Sequence, residues 1–172
     1  MSSTVFFVVI LAAFLHAIWN GMVKDFKDKV ISVSAIVFGH VPMAILVMLF
    51  LPSPTLESIP YIILSAIIHQ GYQYYLISAY KIGDLTRVYP IARGTGPIVA
   101  TLISITFLGL LISKFQILSI FLICFGIIIL GLFNKNSLKN NKAVVYSLVT
   151  GFFIGSYSLV DGYGARISLS PL

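Results

Sequence analysis

Charge is scarce in this chain: Asp, Glu, Lys and Arg make up 9% of its 172 residues, against roughly 25% in a soluble globular protein. So few charges cannot cover a water-facing surface on a chain of this size, which excludes an ordinary soluble domain. Cysteine is limited to Cys124. No disulfide framework and no thiolate metal site can therefore form within one chain. A dense basic stripe is missing as well. The formal net charge is +6, but the basic residues stand apart from the aromatics, which lie inside the apolar runs, and that pattern argues against a nucleic-acid partner. There is no His-Glu-x-x-His spacing, no paired carboxylate and no Gly-x-x-x-x-Gly-Lys loop, the residue patterns that metal hydrolysis or nucleotide hydrolysis would need. His16, His40 and His69 fall in three different apolar runs, while Glu57 and Asp84 fall in the breaks between runs. Neither an enzyme nor a bound cofactor or metal is expected. The N-terminus also lacks a basic n-region and a small-residue cleavage site, so its first apolar run is expected to stay in the mature protein.

What is abundant is apolar. The hydrophobic fraction is 59% and the mean hydropathy is +1.04. A spanning helix needs about 20 mostly apolar residues, and six runs qualify: approximately Thr4–Met22, Val30–Leu51, Ile59–Tyr80, Leu85–Leu108, Phe115–Phe133 and Ala143–Val160. They are too long for barrel strands and do not alternate in polarity. The breaks hold the turn formers and charges, among them Lys24 to Lys29, Pro52-Ser53-Pro54, Lys81 to Asp84, Lys114 and Asn134 to Lys142. None is long enough for a soluble domain. The expected fold is an all-α membrane protein, a polytopic bundle of about six transmembrane helices with the lipid bilayer as its main partner.

Orientation follows from basic residues in short loops. Lys24, Lys27, Lys29, Lys81, Arg87, Lys135, Lys139 and Lys142 follow helices one, three and five, while the other side carries only Lys114. That eight-to-one bias places the N-terminus outside the cell (plasma or inner) membrane and the odd loops in the cytoplasm.

After the break at Asn134–Lys142 the chain resembles its own start. Trp19 aligns with Tyr157, Phe14 with Phe152, and Ala13-x-x-x-Ala17 with Gly151-x-x-x-Gly155. Small residues four apart allow close helix approach in lipid, although such pairs also recur by chance in apolar helices. Five helices separate the two copies, so the second enters the membrane upside down, as in an inverted repeat.

Polar groups at membrane depth are costly and point to function. His16, Trp19 and Asn20 share a face of helix one; they either bond a neighbouring helix or line a cavity. Helix three carries His69, Gln70, Tyr72, Gln73, Tyr74 and Tyr75 near the membrane midplane, too deep for an interfacial aromatic belt. Helix four reads Arg87-Val-Tyr-Pro-Ile-Ala-Arg-Gly-Thr-Gly-Pro97. Pro90 and Pro97 remove backbone donors, and Gly94 and Gly96 ease unwinding, so a break or gating point is expected there. Arg93 lies roughly 12 Å into this helix. It either snorkels to the cytoplasmic side or faces a cavity and attracts an anionic group. Tyr89, Arg93, Gly96 and Ala100 share one face. His40-Val-Pro42 in helix two reads as a kink, helix five as a packing or lipid-facing element, and Asp161 either as a coupling carboxylate or, more in keeping with its place at the end of helix six, as a solvated cap.

The run Leu15-His16-Ala17-Ile18-Trp19-Asn20, the segment Tyr89-Pro90-Ile91-Ala92-Arg93-Gly94-Thr95-Gly96-Pro97 and Tyr157-x-x-x-Asp161-Gly162 together resemble the drug/metabolite transporter superfamily, EamA type. The resemblance implies ten helices in two inverted five-helix repeats and movement, mostly export, of small metabolites such as amino acids, nucleosides, sugars or drugs. Residues 1–138 would form the first repeat, and 139–172 a linker and the first helix of an incomplete second one. Many relatives carry a glutamate soon after the glycine that closes helix four, whereas here Gly109 is followed by Leu110. Four helices of the family pattern are absent, so the chain is expected to be a fragment or to work with a missing second repeat or as a homodimer. The residues expected to bind a small-molecule substrate are His16, Trp19, Asn20, Gln70, Gln73, Tyr74, Tyr89, Arg93 and Tyr157. Alternating access by a secondary transporter is the leading expectation; a non-transporting membrane subunit or inactive fragment is the alternative.

Overall fold

The computed structural model describes residues 3–25, 28–50, 53–132 and 141–168. Among them are six α-helices and no strand: α1 Ser3–Asp25, α2 Lys29–Met48, α3 Ile59–Ile82, α4 Leu85–Thr106, α5 Lys114–Leu132 and α6 Asn141–Ser168. Each apolar run of the sequence thus carries one helix. Two of them, α4 and α6, are long and apolar enough to cross a membrane, and Ser3–Leu15 and Lys114–Ile129 are shorter apolar stretches. In α3 the polar stretch from His69 to Tyr75 dilutes an otherwise apolar helix.

The chain divides into two compact units, Met1–Ile45 and Leu46–Leu172. The first holds α1 and most of α2. Helix α2 continues through Pro42, and His40 beside it is exposed. The side chains of His16, Trp19 and Asn20 lie outside the described residues, as does most of the expected linker, 133–140.

In the second unit α6 packs between α3 and α4, and α4 packs in turn on α5. Gly83 meets Ala143, Gly71 meets Phe153 and Gly164 meets Tyr61, so α3 and α6 are antiparallel. Gly151 meets Ala92 and Thr95 while Gly155 meets Gly96, Val99 and Ala100, so α4 and α6 are parallel. This alternation is what a chain folded back and forth through short connections must produce. The α6 helix, assigned from the sequence to a second repeat, is the central element of this unit.

Close approach on both sides of α4 depends on missing side chains. A Cβ on Gly155 would lie 2.8 Å from the Gly96 carbonyl oxygen and 2.9 Å from the Ala100 nitrogen. On the far side, a Cβ on Gly94 would lie 2.8 Å from the Cys124 carbonyl oxygen of α5. The hydroxyls in the α4–α6 seam are satisfied within their own helices: Thr95 donates to the Ile91 carbonyl, Ser147 to Ala143 and Thr150 to Tyr146, each at 2.7 Å. Such back-bonding lets a seam bury hydroxyls without orphaned donors.

This corrects the expectation of a break. Helix α4 is continuous from Leu85 to Thr106 through Pro90 and Pro97, and Gly94 and Gly96 serve packing against α5 and α6. The start of α4 is capped by Asp84, whose carboxylate accepts from the Thr86 N–H at 2.8 Å and the Thr86 hydroxyl at 2.6 Å. After α4 the chain reverses at Gly109, in the left-handed region at φ 60°. Arg87, counted from the sequence as a loop charge, belongs to the first turn of α4 and is only 4% exposed. Helix α5 turns Phe115, Leu118, Leu122 and Phe125 outward and buries Cys124. In the folded protein Cys124 is therefore expected to resist a maleimide in mild detergent and to react fully in SDS. Rapid labelling of the folded form, read as a mass shift, would show that the α4–α5 seam is not closed.

Candidate functional site

The helical spacing of Ser65, His69 and Tyr72 puts these residues on one face of α3, and that face meets Tyr157 and Asp161, one turn apart on α6. The His69 ring stacks on the Tyr157 ring at 4.0 Å between centroids, and Tyr72 meets Tyr157 edge-on at 5.5 Å. The Ser65 hydroxyl donates to the Asp161 carboxylate across the α3–α6 seam. Within α3, His69 Nδ1 lies 3.2 Å from Ser65 Oγ and 3.0 Å from the Ser65 carbonyl oxygen.

Helix α4 adds the cation. Arg93 Nε donates to the Tyr89 hydroxyl at 3.4 Å, and the guanidinium carbon lies 5.5 Å from the centre of the Tyr89 ring. It is half-buried and within electrostatic reach of Tyr72 and Tyr157. The side chain leans toward the start of α4, the direction snorkelling would take. It ends over the Tyr89 ring. A guanidinium's planar fork matches the geometry of a carboxylate or phosphate.

Three helices thus contribute to one polar strip: Tyr89 and Arg93 from α4, Tyr72, His69 and Ser65 from α3, and Tyr157 and Asp161 from α6. Matching Gly151 with Ala92, and Gly155 with Gly96, sets Arg93 level with about Phe152 of α6. Arg93 and Asp161 are then roughly 14 Å apart along the helix axes. At the Asp161 end a groove of about 360 Å³ opens between α3 and α6, with Tyr61, Ser65, Asp161 and Ser168 on its walls. Among the described residues no group of three or more His, Cys, Asp or Glu could hold a metal ion.

Of the residues expected to bind substrate, Tyr89, Arg93 and Tyr157 come together here. Gln73 is half-buried on the flank of the same α3 face, and its side-chain oxygen is buried without a partner among the described residues. Gln70 and Tyr74 do not join: both are exposed, on the side of α3 turned away from α6. The reason is angular, since at 100° per residue positions 70 and 74 fall more than a quarter-turn from Ser65, His69 and Tyr72. Asp161 is exposed, as the solvated reading expected, but it is not at a helix end, because α6 continues to Ser168. Ser65 carries no mark as a single serine in an apolar run. Its signal is the spacing Ser65, His69, Tyr72, matched by Tyr157 and Asp161 on a second helix.

No family model matches the chain, and neither a curated protein nor a solved structure matches it.

Proposed function

We propose that the chain is a polytopic membrane protein whose six helices span the bilayer, and that it forms part or all of a secondary transporter for a small polar or amphipathic metabolite. The supporting observation is the strip from Arg93 to Asp161: seven polar or aromatic side chains from three helices meet in a chain with almost no other charge inside its apolar runs. Such groups are kept at membrane depth when they serve a pathway. The outward-facing apolar side chains of α5 suit lipid. The resemblance of helices one, four and six to the EamA-type drug/metabolite transporters points to the same activity, with the N-terminus outside and export as the direction.

Arg93 supplies the attraction for a carboxylate or phosphate, and Tyr72, Tyr89 and Tyr157 supply flat apolar walls with polar edges. Alternating access would come from rocking of packed helices around this strip. The unbroken α4 fits rigid-body motion better than local unwinding.

The test is efflux from sealed vesicles containing the purified chain and preloaded in turn with labelled amino acids, nucleosides and sugars. At least one compound is expected to leave several-fold faster than from protein-free vesicles. Equal rates across the panel would overturn transport and favour a non-transporting membrane subunit.

A further inference from the structure

At the Asp161 end of the strip the hydrogen-bond directions determine where the protons sit. The Ser65 hydroxyl hydrogen points at the Asp161 carboxylate. What remains on Ser65 toward His69 is acceptor only: the hydroxyl lone pairs at 3.2 Å and the carbonyl oxygen at 3.0 Å. Both neighbours of His69 Nδ1 are therefore acceptors, and Nδ1 must carry the hydrogen. Neutral His69 then has its free lone pair on Nε2, the nitrogen not held by Ser65, on a ring bounded by Tyr157 at 4.0 Å and Tyr72 at 6.3 Å. Asp161 stands on the wall of the α3–α6 groove and is the one charged residue among its described lining.

We propose that His69, Ser65 and Asp161 form a proton-binding relay that joins the Arg93 end of the strip to the groove. A proton arriving at Nε2 makes His69 an imidazolium. The Nδ1 hydrogen then passes to Ser65 Oγ while the Ser65 hydrogen passes to Asp161. The products are a neutral His69 with its hydrogen on Nε2, an unchanged serine and a protonated Asp161. One positive and one negative charge have cancelled, and no bond other than those to hydrogen has changed. Protonation also removes the one charge on the groove's described lining. If the transport reading is right, this relay makes the proton the ion coupled to transport, and it rests on that reading only for this consequence.

The groups facing the relay are Tyr72 on its own helix and Tyr157 on α6, with Tyr61 on the groove wall beside Asp161.

The test is nitrogen NMR of the full chain in lipid nanodiscs, with the histidine rings labelled and His69 assigned by His69→Gln. The neutral wild-type ring is expected to carry its hydrogen on Nδ1 while Asp161 is ionised and on Nε2 once Asp161 has taken up the proton. In Asp161→Asn, whose amide cannot take up that proton, the Nε2 form should not appear. Ser65→Ala keeps the backbone carbonyl and with it the Nδ1 hydrogen, but should lose the change to Nε2; Ser65→Thr, which keeps a hydroxyl, should retain that change. A neutral wild-type ring that keeps one tautomer across acidification would overturn the relay, with no variant needed. A change of tautomer in folded Asp161→Asn would do the same. Neither readout depends on flux, so inactive vesicles leave the relay standing and an unchanging tautomer leaves the transport reading standing.

Discussion

Gly155→Leu is expected to leave little folded protein. The new Cβ would meet the Gly96 carbonyl oxygen and the Val99 Cβ at 2.8 Å and the Ala100 nitrogen at 2.9 Å. Two of these three atoms belong to the backbone of α4, which cannot move aside by a rotamer change. The clash is relieved only by separating α4 from α6, and that separation also strips Gly151 from Ala92 and Thr95. Overpacking of a well-packed core costs typically about 1–3 kcal/mol and sometimes more; rigid backbone on the receiving side puts this site at the upper end. Gly162 is the control, because a Cβ there would meet nothing within 4 Å, and Gly162→Leu should fold normally. Gel filtration in mild detergent followed by titration with SDS reads both variants. A Gly155→Leu protein as monodisperse and as resistant as wild type would mean that α4 and α6 do not pack as described.

That seam also explains which parts of the fold were legible. The small-xxx-small spacing of Gly151 and Gly155 announced a close helix contact, because a pair of missing side chains is visible in one sequence. Its partner was not. Gly94 and Gly96 read as points of weakness beside Pro90 and Pro97, since glycine and proline lower helix propensity whatever their surroundings. Only the neighbours on α5 and α6 show that the glycines make room for two backbones. Helix positions were legible for a simpler reason: each run of apolar residues ended at charges or turn formers, and the ends moved by a few residues except at α6, where Asp161 and Arg166 hid an eight-residue continuation to Ser168.

The site was legible one helix at a time. Tyr89 and Arg93 follow from their spacing on α4, and Tyr157 from its place on α6. In helix three the density of polar residues drew attention to Gln70 and Tyr74, whereas the fold uses the face carrying Ser65, His69 and Tyr72. Density says that a helix has a polar side. It does not say which residues meet a neighbour, and the α3–α6 pairing that decides it, Gly71 against Phe153 and Tyr61 against Gly164, leaves no pattern within α3 alone.

Arg93→Ala is expected to weaken ligand binding most among the site variants, while the protein still inserts and folds. The guanidinium's hydrogen bond to Tyr89, 3.4 Å long, lies within one helix. A hydrogen bond to a charged group contributes about 1.5–3 kcal/mol, or roughly 10- to 100-fold in affinity, for a ligand bearing a carboxylate or phosphate. Arg93→Lys keeps the charge but loses the planar fork and most of the stacking on Tyr89, so it should recover only part of that loss. Tyr89→Ala removes the ring and hydroxyl that orient the guanidinium and should fall between the two. The measurement is equilibrium binding of whichever labelled compound leaves the vesicles fastest, with gel filtration as the check on folding. A neutral ligand of similar size separates charge from shape: its affinity should hardly change in Arg93→Lys. If Arg93→Ala and Tyr89→Ala both bind as tightly as wild type, α4 does not contribute to the site, and Arg93 is an arginine that snorkels along its own helix.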